Sequence, residues 1–169
     1  MDDRSLVARQ LGREPRAFRR VVDRCPWGRP AVTEQTPYGP DGEPFPTTYY
    51  LTCPHLVAAV SRLEAEGGVE RWSDRAANEP RLRASLEAAT ADQRDLRARL
   101  AGGATGADGG ASLQLGIGGA ARPERLKCLH AHAAWALARP GYELGEAILA
   151  EVGDLWPSNS CCLEDRAVE

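Results

Sequence analysis

Between Cys25 and Pro46, prolines and glycines recur so closely that no long helix or strand fits there. Each proline lacks the N–H that a ladder or helix interior requires, and each glycine loosens the backbone, so the stretch reads as turns around one short strand at 31–35. The next six residues, Thr47-Thr48-Tyr49-Tyr50-Leu51-Thr52, are β-branched or aromatic almost throughout and give the clearest strand signal in the chain. Cys53-Pro54 follows without a gap. Thr52 or Cys53 can cap a helix there, and proline suits a first turn whose N–H has no partner anyway. Strands are therefore crowded into the first third of the chain, and the remainder is free to be helical.

Upstream, residues 5–11 predict a short helix that Gly12 and Pro15 break, and 17–23 a strand or short helix with Phe18, Val21 and Val22 apolar. Downstream, the helix opened by Pro54 carries Leu56, Val60 and Leu63 on one stripe and stops at Gly67-Gly68. A second helix is predicted over 80–100, with Leu82, Leu86, Leu96 and Leu100 as its apolar positions amid alternating arginines and acids. The run AGGATGADGGAS at 101–112 has the composition of a flexible loop. A third helix is predicted from Pro123 to Pro140, and a last one over 143–152. The expectation is an α+β class, with short strands in the N-terminal third and mainly helices afterwards. It comprises an extension at 1–10, one compact domain over 11–156 and a tail at 157–169. A chain of 169 residues with 43% apolar content can bury a core of that kind without disulfides.

The net charge of -3 argues against general binding to nucleic-acid backbones, and the local arginine excess near the N-terminus reads as a solvated face. No window approaches the roughly 18 consecutive apolar residues that a membrane-spanning helix needs. Five cysteines, an odd number, with no secretory pattern at the N-terminus predict a reducing, cytoplasmic setting.

Chemistry concentrates in Arg125-Leu126-Lys127-Cys128-Leu129-His130-Ala131-His132, which holds two of the three histidines and the chain's only lysine. At about 100° per residue, Leu126, Leu129, His130, Ala133 and Leu137 share one helical face, while Cys128, His132 and Trp135 share the opposite one. Thiolate and imidazole are the ligands zinc selects, and a closed site takes four. Cys53, Cys128, His130 and Cys161 are the candidate ligands, with Cys25, His55 and His132 as alternates. The competing reading is thiol chemistry at Cys53, where free N–H groups and the helix dipole would lower the thiol pKa. Closed by all four, the zinc site would be structural; left open without Cys161, it could carry an activated water, and then, as with the thiol, the chain would be a metal- or thiol-dependent hydrolase or transferase. A third expectation is a small anionic ligand held by Gly116, Gly118 and Gly119 with Arg122, Arg125 and Lys127, since glycines before a helix let N–H groups approach an anion.

The chain resembles an uncharacterised bacterial family, domain of unknown function 501. The resemblance lies in Arg24-Cys25-Pro26, Pro44-Phe45-Pro46-Thr47, Tyr49-Tyr50-Leu51-Thr52-Cys53-Pro54, Ser61-Arg62-Leu63-Glu64 and Lys127-Cys128-Leu129-His130. It implies an actinobacterial source and no stated activity. It also implies a partner in the cell-division or polyphosphate machinery, as the alternative to a Cys/His site. The motif holds His130 and does not require histidine at 132, so it favours His130 where helical phase favours His132.

Overall fold

The computed structural model describes residues 1–163; the end of the expected tail, 164–169, lies outside the described residues. Helix α1 (Asp3–Leu11) is capped by Asp2, whose side chain accepts from the Ser5 N–H, and ends at Gly12 with φ 67°. Three strands follow, β1 (Phe18–Arg24), β2 (Pro30–Gln35) and β3 (Tyr49–Leu51), in one antiparallel sheet of order β1-β2-β3. The registers pair Val21 with Thr33 and Val32 with Leu51. As the central strand, β2 is buried along its whole length. That buries the Glu34 carboxylate, which accepts from Arg19 and Arg20 on β1. Part of the N-terminal arginine excess therefore serves the fold, since a buried charge must be paired.

Helices α2 (Pro54–Ala65), α3 (Gly68–Asn78), α4 (Pro80–Ala101), α5 (Leu129–Ala138) and α6 (Glu143–Val152) complete the chain, so the α+β expectation holds. Helix α3 was not foreseen. Gly67, at φ 79°, ends α2, but Gly68 begins a new helix at once. Gly68 must be glycine because a Cβ there would lie 2.5 Å from the Leu63 carbonyl oxygen, as well as 2.9 Å from Leu129 Cδ1. Trp72, Ser73 and Ala76 are buried along α3 and Val69 packs partly buried against the core, a stripe set among charged residues and directly behind two glycines that read as a stop.

Helix α5 also differs from expectation. It begins at Leu129, not Pro123, and Cys128 is its N-cap. Nearly every side chain from Leu129 to Ala136 is buried, so the helix has no polar face. His132, placed with Cys128 on the less apolar face by helical phase, is instead 1% exposed, while His130 is half-buried. A helix that threads the middle of a core shows no period from which to read its faces.

Between the end of α4 at Ala101 and a short 3-10 helix at Ala111–Gln114, the chain runs through turns held by Asp108. Its carboxylate accepts from the N–H groups of Gly110 and Ser112 and from the Tyr38 hydroxyl. Two buried polar residues of α4 fasten neighbouring loops: Gln93 donates to the Gly116 carbonyl at 2.6 Å, and Arg97 to the Phe45 carbonyl at 3.0 Å. No helix among the described residues is long and apolar enough to cross a membrane.

Candidate functional site

Tyr49 and Leu51 of β3 point into the core, where Tyr49 packs on Trp135 of α5 with ring centroids 5.0 Å apart. Helix α5 thus lies along the sheet's edge strand, and α2, which leaves β3 at Pro54, runs beside it. Between β3, α2, α5 and the end of α1 is a cavity of about 540 Å³. That is room for a small molecule. Its walls are largely apolar or aromatic, with Tyr49, Tyr50, Leu51 and Val57 among them, and its reactive groups are Cys128 and His130.

Glu64 explains how His130 is held there. From the last turn of α2 its Oε1 accepts from the Leu129 backbone N–H at 2.6 Å and faces His130 Nδ1 at 3.1 Å. The first N–H of α5 is thus satisfied from across the interface, since Cys128 makes no side-chain cap bond. An ionised carboxylate only accepts, so Nδ1 carries the proton and Nε2 has a free lone pair when the ring is neutral. Ser61 Oγ lies 3.2 Å from that Nε2, in position to donate to it. The Val57 carbonyl, 3.3 Å from the same nitrogen, can accept only after Nε2 gains a proton. Hydroxyl, imidazole and carboxylate stand in the order of a proton relay, with the cation's second acceptor in place. Ser61 is exposed, one helical turn from Val57 in the cavity wall.

Ser61 and Glu64 were quoted above only as part of a motif, and no role was assigned to them. Their i, i+3 spacing puts them on one side of α2, a signal that gains meaning only once a histidine is known to face that side.

The cysteines are divided. Among the described residues, no group of three or more His, Cys, Asp or Glu side chains is placed to hold a metal ion, so the four candidate ligands do not form one cluster. Cys128 lies in the cavity wall, and burial raises its thiol pKa against the opposing pull of nearby N–H groups. Cys53 is the N-cap residue of α2, buried and without a side-chain cap bond. Burial pushes its thiol up to about 11 and outweighs the N–H groups of Leu56 and His55. The thiolate expected at this helix start is therefore not favoured. Cys161 is 2% exposed and lies outside the cavity lining. His55 is half-buried and lies outside the cavity, and His132 Nδ1 meets the Tyr142 hydroxyl at 2.7 Å, deep in the core.

The glycine turn has a packing role that the anion reading did not foresee. Gly118 has φ 70°, and a Cβ there would lie 2.9 Å from Ala131 Cβ and 3.5 Å from Cys128 Sγ. The Gly116 N–H donates to Ala120 and the Gly119 N–H to Gly116, so both are already engaged. Gly119, Arg122, Arg125 and Lys127 do surround a shallow hollow of about 300 Å³. Arg122 is paired with Glu124, and Arg125 with Glu70 and Asp74.

Sheet edge, central helix and cavity thus define a small α+β domain in which Ser61, His130 and Glu64 form a hydrogen-bonded set beside the cavity that His130 lines. The chain belongs to the family described as protein of unknown function (DUF501), which it matches over residues 21–150. No curated protein and no solved structure matches it.

Proposed function

We propose that this protein is a hydrolase or transferase that moves an acyl group from a small, largely apolar substrate, with Ser61 as nucleophile, His130 as its base and Glu64 orienting His130. The observation that carries the reading is the continuous set of contacts from Ser61 Oγ to His130 Nε2 at 3.2 Å and from Nδ1 to Glu64 at 3.1 Å. A serine hydroxyl is a weak nucleophile at neutral pH, and a base within hydrogen-bond reach, itself held by a third group, is what makes it effective. As the Ser61 oxygen attacks an ester carbonyl, its proton passes to Nε2. The imidazolium formed faces Glu64 on one side and the Val57 carbonyl on the other. It then returns the proton to the leaving oxygen. The cavity beside Val57 and His130 receives the acyl chain, and its apolar walls favour a hydrocarbon over a charged group.

The alternative, a non-catalytic partner of the division or polyphosphate machinery, has less support. Arg19, Arg20 and Arg24 are paired within the chain, and Met1 is the exposed large apolar side chain among the described residues. The test is hydrolysis of p-nitrophenyl esters with acyl chains from acetyl to octanoyl. Turnover is expected to fall by about 10²–10⁴-fold in His130→Gln and comparably in Ser61→Ala, with folding kept. Absence of turnover with every ester, in protein shown to be folded, would overturn the reading.

A further inference from the structure

A second hollow, of about 480 Å³, lies between α3, α4 and the turn at 123–125 that leads toward α5. It shares no lining residue with the cavity beside His130. Ala76 and Leu86, both almost fully buried, form its floor, and Ala77, Ala91 and Pro123 carry that apolar surface outward. Arg83 and Arg94 are the first and last residues that α4 contributes to the lining. Their separation on the helix is about three turns, or roughly 16 Å along its axis.

The two ends differ in charge. At the first, Arg83 donates to the Ala77 carbonyl in the last turn of α3, and Glu87, one turn further along α4, offsets its charge. At the other, Arg94 is half-buried and donates through Nε to the Gln114 carbonyl at 2.9 Å. That bond orients the guanidinium plane, while Nη1 and Nη2 have no partner among the described residues. The other charges of the rim are paired, Arg125 with Glu70 and Asp74 and Glu124 with Arg122. A guanidinium held at Nε and open at both Nη atoms is the fork that a carboxylate meets with two oxygens.

We propose that this hollow binds a small monocarboxylate with an apolar chain. Its two oxygens accept from Arg94 Nη1 and Nη2, and its chain lies over Ala91, Leu86 and Ala76 toward Arg83. A dicarboxylate fits less well, because its second charge would lie near Glu87. The site is independent of the relay at His130 and stands whether or not that relay is catalytic.

The test titrates sodium octanoate into the full chain labelled with nitrogen-15, in wild type and in Ala58→Trp, where the tryptophan obstructs the cavity beside His130. The expected result is a saturating shift of the Ala77, Ala91 and Arg94 amides, equal in the two proteins. The Kd should rise about tenfold or more in Arg94→Gln, the loss of a charged hydrogen-bonded pair. Ala91→Trp, at an exposed position in the wall, should weaken binding as much and leave Tm unchanged. Octanamide, which has the same chain and no charge, should bind wild type about tenfold more weakly than octanoate. No saturation at millimolar octanoate, shifts confined to the cavity beside His130, a Kd unchanged in Arg94→Gln or Ala91→Trp, or octanamide binding as tightly as octanoate would each overturn the proposal.

Discussion

His130 and His132 are two residues apart and live under opposite physics. His132 is fully buried, and loss of hydration drives its pKa down to about 3, so it folds as the neutral ring. In the unfolded chain it takes up a proton near pH 6.5, its ordinary value. Between pH 6.5 and about 3 the unfolded state therefore holds one more proton at this site than the folded state. Its contribution to stability is complete above pH 6.5 and declines as pH falls, by about 1.4 kcal/mol per pH unit. Chemical denaturation of wild type and His132→Met across this window should give a smaller pH slope for the variant; equal slopes would show that His132 is not buried neutral. His130 instead touches Glu64 and Ser61 at a half-exposed edge. Nitrogen-15 NMR should find its proton on Nδ1 at neutral pH. A proton on Nε2, donated to Val57, would leave Ser61 without a base.

At the scale of elements, strands β2 and β3 and helices α1, α2, α4 and α6 were legible because their signals are local: caps, prolines, β-branched runs and glycine stops. What sequence could not show was supplied from a distance. The start of α5 is fixed by Glu64, 65 positions away, so Pro123 looked like the better first turn. Glu64→Ala should lower stability by about 1–2 kcal/mol, because it removes a charged cap and strands the Leu129 N–H. Glu64→Gln, which can still accept from that N–H, should lose less. The glycine-rich turn lies against α5 as closely as it does because Gly118 has no side chain. Gly118→Ala combines an unfavourable φ with a clash at Ala131 and should cost about 1–3 kcal/mol by urea denaturation. A neutral outcome would mean that the turn and α5 are not in contact.

Across the whole molecule, the sequence pointed to a helix that borders the cavity and to companions that the structure does not gather there. Cys128 and His130 do reach one cavity, but the companions of His130 come from α2, and Cys53 and Cys161 do not line that cavity. Residue types with strong metal chemistry stand out in a bare sequence, whereas Ser61 and Glu64 look like ordinary surface residues until α2 and α5 are packed together. If the cavity takes the acyl chain, Ala58→Trp, at an exposed position in its wall, should raise KM for the longer esters and leave Tm unchanged. Equal KM values in wild type and variant would move the substrate elsewhere. The relay itself is tested most directly by a fluorophosphonate probe, with the labelled residue identified by mass spectrometry in wild type, His130→Gln and Glu64→Gln. The account predicts covalent label on Ser61 in wild type, none in His130→Gln and slow labelling in Glu64→Gln. Absence of label at Ser61, or labelling undiminished without His130, would contradict it.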